Sequence, residues 1–132
     1  MADHLHHVHI FASDIDASVR FYREHFGGKV VMDNELNGVR NVFMTIGAGR
    51  LCLFALPPRS TARGAVHHIA IQTDDLESSV ERMKNRGIEF RRDITDLGHM
   101  KFVMVPAPDN VLIEYFEVKK GMLSEDYADF FE

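Results

Sequence analysis

The sequence contains one cysteine, no long apolar run and no excess of basic residues, and each absence excludes a class of protein. Cys52 has no second cysteine with which to form an internal disulfide, so a disulfide-stabilised secreted domain is excluded. No apolar run approaches the roughly 20 residues that cross a membrane, and no basic-then-apolar signal segment stands at the N-terminus. The net charge of -5 argues against a nucleic-acid-binding surface. We therefore expect a cytoplasmic protein without nucleic-acid or membrane partners.

Histidine, by contrast, is abundant, with eight copies in 132 residues. Four of them lie in the N-terminal stretch DHLHHVHIFASD, where apolar residues interrupt the run, and two more form the pair in AVHHIAIQTDD. An offset of 61 residues aligns these two stretches, so that His7 falls on His68 and Asp14 on Asp75. The sequence therefore indicates an internal duplication.

Each copy has the same predicted order of elements. An aspartate precedes apolar residues at helical spacing and a glycine ends the pattern, at Asp14 and Gly27 in one copy and at Asp75 and Gly87 in the other. Runs with strand character surround the helices, at residues 8–12, 29–33, 39–46 and 50–56 and at residues 68–73, 88–94, 100–106 and 111–118. We therefore predict an α+β fold with two tandem βαβββ modules.

The two modules, about residues 4–56 and 65–118, are expected to form a single domain that spans 1–132. A Pro-, Ser- and Gly-containing linker separates them at residues 57–64, and a tail follows at residues 119–132. The end of this tail, residues 124–131, is predicted to be a short helix that places Tyr127, Phe130 and Phe131 on an apolar surface.

Strand alternation places the candidate metal ligands on shared faces. His7 and His9 share one face of the first strand, and His68 takes the position of His7 in the second copy. The more apolar face of each strand is expected to pack under the helix of its own module, which leaves these histidines on the other face. Glu114 interrupts an apolar last strand, where a carboxylate is costly unless it is paired or bound to a cation. Two imidazoles and one carboxylate suit a borderline divalent ion.

The same stretches resemble the vicinal oxygen chelate superfamily, which includes glyoxalase I, methylmalonyl-CoA epimerase, extradiol dioxygenases and fosfomycin- and bleomycin-resistance proteins. The resemblance rests on HHVHIFASDIDASVRFYREHFGG, HHIAIQTDDLESSVERMKNRG and APDNVLIEYFE. It implies a glyoxalase-like fold, in which the modules form a curved, mostly antiparallel eight-stranded sheet around a metal cleft. It also implies one divalent ion per site (Fe²⁺, Mn²⁺, Ni²⁺, Co²⁺ or Zn²⁺), a small-molecule substrate and a homodimer.

Matched position by position, the metal ligands of the family fall on His7, His68 and Glu114. Many members have a fourth ligand, Glu or Gln, in the fourth strand, and here that position is Cys52. Two alternatives follow: water completes a three-ligand site, or the Cys52 thiolate supplies the fourth ligand. An ordinary buried role for this thiol is favoured, because free cysteine is among the most buried residue types.

The resemblance implies a lyase or isomerase that moves a proton through an enolate of a small carbonyl compound chelated to the metal. Glu114, leaving the metal, or His9 is predicted to be the catalytic base. Four further residues are predicted to contact the substrate: Cys52, His99, Lys101 and Arg50.

Three other functions stay open. An Fe(II) extradiol dioxygenase needs only two histidines and one carboxylate, although the tyrosine and the glycine customary in that branch fall on Met104 and Asn110. A fosfomycin-type thiol transferase would need serines in the region between Ser79 and Ser124, which has none. A non-catalytic drug-binding resistance protein would typically lack the ligand set. The site lies either within one chain or across a dimer, and a homodimer with two shared sites is favoured.

Overall fold

Two aspartates begin the two main helices, as the sequence predicts. In α1 (Ile15–Phe26) the Asp14 carboxylate accepts a hydrogen bond from the backbone N–H three residues later, at 3.1 Å. In α2 (Leu76–Asn85) Asp75 does the same, also at 3.1 Å. These bonds satisfy backbone donors that the first helical turn leaves without a partner. α1 ends at Gly27, whose φ of 66° is a left-handed conformation that glycine adopts without strain.

The structure is a computed structural model that describes residues 2–131, apart from the side chain of residue 126. Eight strands in this range form two mixed four-stranded sheets. The first sheet contains β1 (Val8–Phe11), β2 (Lys29–Leu36), β3 (Val39–Ile46) and β4 (Gly49–Phe54), and the second contains β5 (Ile69–Gln72), β6 (Thr95–Asp96), β7 (Met100–Ala107) and β8 (Val111–Val118). The predicted α+β fold of two βαβββ modules is confirmed. Within the described range, no helix combines the length and apolar character needed to cross a membrane.

Both sheets have the same topology. The strand orders are β1-β4-β3-β2 and β5-β8-β7-β6, and the first strand of each module is parallel to the last. Two compact units result: unit 1 contains the residues up to Arg63 together with Ala107–Asn110, and unit 2 contains Gly64–Pro106 and the residues from Val111 onward. The turn between β7 and β8 therefore packs as part of unit 1, although both strands belong to unit 2.

The buried core of unit 1 lies between α1 and one face of its sheet. Leu51 and Leu53 of β4 and Met44 of β3 are at most 5% exposed. The Met44 side chain lies close to the end of α1. A Cβ added to Gly28, just after the helix, would contact both Met44 Cε and the Tyr22 carbonyl oxygen. Side chains alternate along a strand, so the opposite face carries the remaining set. We call it the far face of unit 1; its residues are 7, 9, 50, 52 and 54.

Unit 2 is built in the same way. Leu76 and Met83 of α2 and Ile113 of β8 are fully buried. Since Glu114 follows Ile113 in an extended strand, its side chain lies on the face away from α2. Glu114 stands opposite Ala70 in the parallel β5–β8 pair. We call this surface the far face of unit 2; its residues are 68, 70, 72, 114 and 116.

The prediction of a strand at residues 88–94 is wrong. The corresponding strand, β6, has only two residues, Thr95–Asp96, which pair with β7. Residues 91–93, Arg-Arg-Asp, are exposed, so this stretch has no alternating apolar face to bury against a sheet. Asp96 fixes the short edge instead, because its carboxylate accepts hydrogen bonds from Lys119 Nζ and from the backbone N–H of Gly98.

The C-terminal tail forms short helical turns, as predicted, but only one of its aromatic side chains packs on unit 2. α3 (Glu125–Ala128) is followed by a 3-10 turn at Asp129–Phe131. The Phe131 carbonyl accepts a hydrogen bond from Gln72 Nε2 at 2.8 Å, and its ring meets Phe116 edge-on at 5.9 Å. Tyr127 and Phe130 are 62% and 82% exposed. The tail therefore contacts the far face of unit 2 through Phe131.

Substituting alanine for Gly28 is expected to destabilise the protein by about 1–3 kcal/mol, the usual cost of overpacking. The new Cβ would lie 2.9 Å from the Tyr22 carbonyl oxygen and 2.8 Å from Met44 Cε, and the first of these is backbone that cannot move aside. Urea unfolding measures the change. Gly64→Ala is the matched control, because nothing lies within 4 Å of its added Cβ. Equal stability of the two variants would contradict the packing described for α1.

Candidate metal centre

His68 and Glu114 come together on the far face of unit 2. His68 Nε2 lies 3.2 Å from Glu114 Oε2, and their side chains are 31% and 21% exposed. Two ligand atoms held on one ion at about 2.1 Å are about 3.0–3.4 Å apart. The pair therefore already has the spacing of two ligands on one metal ion. The imidazole nitrogen and the carboxylate oxygen also belong to the donor types that bind borderline divalent ions.

Unit 1 brings a second group of donors together. His7, His9 and Cys52 each offer a ligand atom, and these atoms all lie within 4.8 Å of one another. The parallel register explains the cluster, because His9 stands directly opposite Cys52 and His7 is two residues before His9 on the same face. The family resemblance puts Cys52 at the position of a fourth ligand, and in the structure its sulfur lies close to His7 and His9 within unit 1.

Burial disfavours the charged forms of both His9 and Cys52. The His9 ring stacks on Phe54 with centroids 3.7 Å apart, and its Nε2 is buried without a hydrogen-bond partner among the described residues. Burial lowers the pKa of His9, and the neighbouring His7 acts in the same direction. Burial raises the pKa of the Cys52 thiol. A hydrogen bond with Asn41 opposes this lowering of the His9 pKa, so His9 has a polar neighbour as well as the two other donors of the cluster.

Two contacts of the ligand histidines were not predicted from the sequence. His6 Nδ1 lies 3.0 Å from His7 Nδ1, and His67 Nδ1 lies 2.8 Å from His68 Nδ1. The two pairs occupy equivalent positions in the two modules. The signal that would have found them is the His-His dipeptide, which the internal duplication preserves.

Of the predicted substrate contacts other than Cys52, Lys101 lies on a different face from the candidate ligands, whereas Arg50 shares the far face of unit 1. Lys101 lies on the α2 side of unit 2, since it shares a strand face with the buried Val103 and pairs with Glu77 at 3.2 Å and Glu117 at 3.5 Å. This position does not support a substrate role for Lys101. His99 is exposed, and its carbonyl accepts a hydrogen bond from the Lys119 backbone. Arg50 is exposed on the far face of unit 1, where a substrate role stays a prediction.

The turn between β7 and β8 explains one departure from the family pattern. Asn110, which replaces the customary glycine, has a φ of 60°. This left-handed conformation is one that asparagine tolerates better than most residues. Its side-chain amide donates to the Thr61 carbonyl, and the preceding Asp109 accepts hydrogen bonds from the backbone and hydroxyl of Ser13. Asn110 therefore preserves the backbone that glycine would adopt, and the replacement carries no information about the reaction.

Comparison with known families agrees with this fold. Residues 4–115 match the model of the Glyoxalase/Bleomycin resistance protein/Dioxygenase superfamily. The match covers most of the chain, so the protein belongs to this superfamily.

Individual relatives are similar over nearly their whole length. The uncharacterized protein YwbC of Bacillus subtilis (strain 168) is 30% identical over 125 residues, which cover 89% of this chain and 99% of YwbC. The fosfomycin resistance protein FosX from Listeria monocytogenes, in its complex with Mn(II) and sulfate, has a TM-score of 0.73 at 18% identity, with 92% of this chain and 98% of FosX covered. Lactoylglutathione lyase from Agrobacterium tumefaciens has a TM-score of 0.65 at 23% identity, with 88% and 94% covered.

Replacing Lys101 with methionine is expected to lower the free energy of unfolding by about 1 kcal/mol, because the change leaves the half-buried Glu117 carboxylate without its cation. Methionine keeps the apolar stem, so the loss reports the charge. Urea unfolding at neutral pH measures it. The exposed Arg50→Met is the matched control and should change stability by less than about 0.5 kcal/mol. A Lys101→Met protein of full stability would argue that the ion pairs have no structural role.

Proposed function

We propose that the protein is a metal-dependent lyase or isomerase that moves a proton next to the carbonyl group of a small substrate. The observation that carries the proposal is the His68–Glu114 pair, whose 3.2 Å spacing suits two ligands of one divalent ion. Membership of a superfamily that includes glyoxalases supports it. So does the structural likeness to a lactoylglutathione lyase, which concerns the fold.

The proposed ligands are His7, His68 and Glu114, with Cys52 as the fourth. Family resemblance assigns His7 to this set, and its position beside Cys52 in unit 1 supports the assignment. Nitrogen, oxygen and sulfur donors together favour Fe²⁺, Co²⁺, Ni²⁺ or Zn²⁺, and Mn²⁺ is compatible with the nitrogen and oxygen donors. A homodimer and a cytoplasmic location stay predictions.

When bound, the ion would polarise the substrate carbonyl and acidify the adjacent C–H bond. His9 is a candidate to receive the proton, because it lies beside His7 on the same face and the lowered pKa of its ring favours the unprotonated form that a base needs. Stacking on Phe54 fixes the plane of the imidazole. Glu114 is the alternative base, since a carboxylate that leaves the ion can accept the same proton.

An Fe(II) extradiol dioxygenase is the second candidate. The two-histidine, one-carboxylate set is the one that such iron sites use. Asn110 replaces the glycine customary in that branch, but its left-handed conformation is one that glycine also adopts, so this replacement does not argue against the candidate. Met104 still stands where that branch commonly has a tyrosine. Oxygen consumption with catechols after anaerobic iron loading would favour this candidate over proton transfer.

Protein purified without a tag is expected to contain close to one divalent ion per chain, and added metal should raise its melting temperature, since a ligand of the native state stabilises it. His68→Ala and Glu114→Gln are expected to weaken metal binding by more than about 100-fold, a larger loss than removal of a ligand's hydrogen-bond partner causes. Glu89→Gln, an exposed carboxylate of unit 2, is the control. Unchanged affinity in both variants would rule out this site.

The metal-loaded protein should then be assayed with hemithioacetals, acyl-CoA epimers, catechols, and fosfomycin with thiols. Isomerisation of one of the first two classes is the expected result, and it should be lost in His68→Ala but kept in Glu89→Gln. Turnover of fosfomycin with a thiol would favour the transferase alternative. Tight binding of metal with turnover of none of the four classes would argue against the proposed reaction, and binding of a drug without metal would favour a sequestering protein.

Cobalt substitution is expected to show that Cys52 binds the ion. A thiolate ligand gives Co²⁺ an intense sulfur-to-metal absorption in the near ultraviolet, and Cys52 is the only cysteine in the sequence, so the band has no other source. Cys52→Ser should lose the band while still binding cobalt through the other ligands. Wild-type protein that binds cobalt without this band would leave Cys52 as a buried thiol.

A further inference from the structure

The two histidine pairs share one geometry. The Nδ1 atoms are 3.0 Å apart in the His6–His7 pair and 2.8 Å apart in the His67–His68 pair. The ring planes meet at 89° and 84°, with centroids 5.2 Å and 5.1 Å apart. A chance contact between exposed rings has no reason to recur with the same atoms at equivalent positions of two modules.

The place of each pair in the chain explains how neighbouring side chains can meet. Within an extended strand, adjacent side chains point to opposite faces and do not bond to each other. Both pairs lie immediately before a strand, because β1 begins at Val8 and β5 begins at Ile69. At these positions the backbone does not yet form the inter-strand hydrogen bonds of the sheet, so the two rings can turn toward each other.

An Nδ1–Nδ1 hydrogen bond requires a proton on one ring and a lone pair on the other. A neutral histidine that donates from Nδ1 has its lone pair on Nε2, and the hydrogen bond thereby selects the tautomer. In His68, Nε2 is the atom that lies 3.2 Å from Glu114 Oε2. When a cation takes the Nε2 lone pair, His68 can donate only from Nδ1, and His67 Nδ1 is the acceptor that lies within reach at 2.8 Å.

We propose that His6 and His67 are positioning residues, each accepting the Nδ1 proton of the following histidine so that Nε2 of His7 and of His68 is presented to the metal. The inference rests on the proposed metal site. Metal-bound histidines usually donate their second N–H to a carboxylate, a carbonyl or water. Here the acceptor is another neutral imidazole, which orients the ligand without adding negative charge near the ion.

The pairs orient ligands rather than hold the fold together. His6, His7 and His67 are exposed, so water competes for their hydrogen bonds, and an intramolecular hydrogen bond contributes little once water can replace it. Removing His6 or His67 should therefore leave folding unchanged and weaken metal binding. This combination separates positioning from a structural role.

The test compares His67→Leu, which removes the acceptor, with His67→Asn, whose amide oxygen can take the place of Nδ1 as acceptor. Zinc affinity of the full chain, measured by competition with a chelator, is expected to fall about 10–100-fold in His67→Leu. It should stay within about 3-fold of wild type in His67→Asn, because the hydrogen bond is kept. His6→Leu and His6→Asn should behave in the same way in module 1, and His4→Leu is the control.

Nitrogen NMR of the zinc-loaded protein gives a second readout besides affinity. The Nδ1–H proton of His68 is expected to exchange slowly with water in wild type and His67→Asn, where it is hydrogen-bonded, and faster in His67→Leu. The urea midpoint should be the same in all of these proteins. Loss of zinc affinity in both His67 variants together with a lower urea midpoint would instead show a structural role and overturn the proposal.

The results distinguish failure of this inference from failure of the proposed function. Wild-type zinc affinity in His67→Leu, with binding abolished in His68→Ala, would overturn the positioning role and leave the metal site intact. Unchanged affinity in His68→Ala as well would overturn the site and the inference together. Unchanged exchange of the His68 Nδ1–H proton in zinc-loaded His67→Leu would overturn the inference whatever the metal affinity.

Discussion

The parallel pairing of the first and last strands in each module is the constraint on which the candidate site depends. It sets His9 opposite Cys52 in β1 and β4, and Ala70 opposite Glu114 in β5 and β8. Alternation then assigns every second side chain to the helix or to the far face. A slip of one residue in either pair would exchange the two faces, turning the candidate ligands into the core and the leucines outward.

The carboxylates on the two faces of unit 2 have different partners. On the α2 side the Glu117 carboxylate accepts a hydrogen bond from the first backbone N–H of the helix and also pairs with Lys101. This charge is compensated within the fold, and it stabilises the start of α2. On the far face, Glu114 meets an imidazole at 3.2 Å. A carboxylate on a partly buried surface is costly unless it is paired or bound to a cation.

Local patterns predicted the helices well because the residues that define them are close in sequence. Asp14 and Asp75 cap helices from within their own first turn, and the apolar stripes need only helical spacing. The strand at 88–94 failed because a short edge strand is fixed by partners such as Lys119 rather than by its own residues. Counting alternate residues from Val103 would have placed Lys101 on the helix side. Ring-to-ring contacts such as His67–His68 depend on side-chain torsions, which the sequence pattern does not specify.

The two modules share a duplicated backbone but differ in the donors that they offer. Unit 1 places nitrogen and sulfur together in His7, His9 and Cys52, whereas unit 2 places nitrogen beside a carboxylate. Thiolate is a soft ligand and carboxylate a hard one, so a cation bound by both, as we propose, would have to be of borderline character. FosX, a protein of the same fold, has been seen with Mn(II), a cation for which a thiolate is a poor ligand. If Cys52 binds the ion, the preference of this site therefore shifts toward zinc or cobalt, and a single side chain in the fourth strand accounts for that shift.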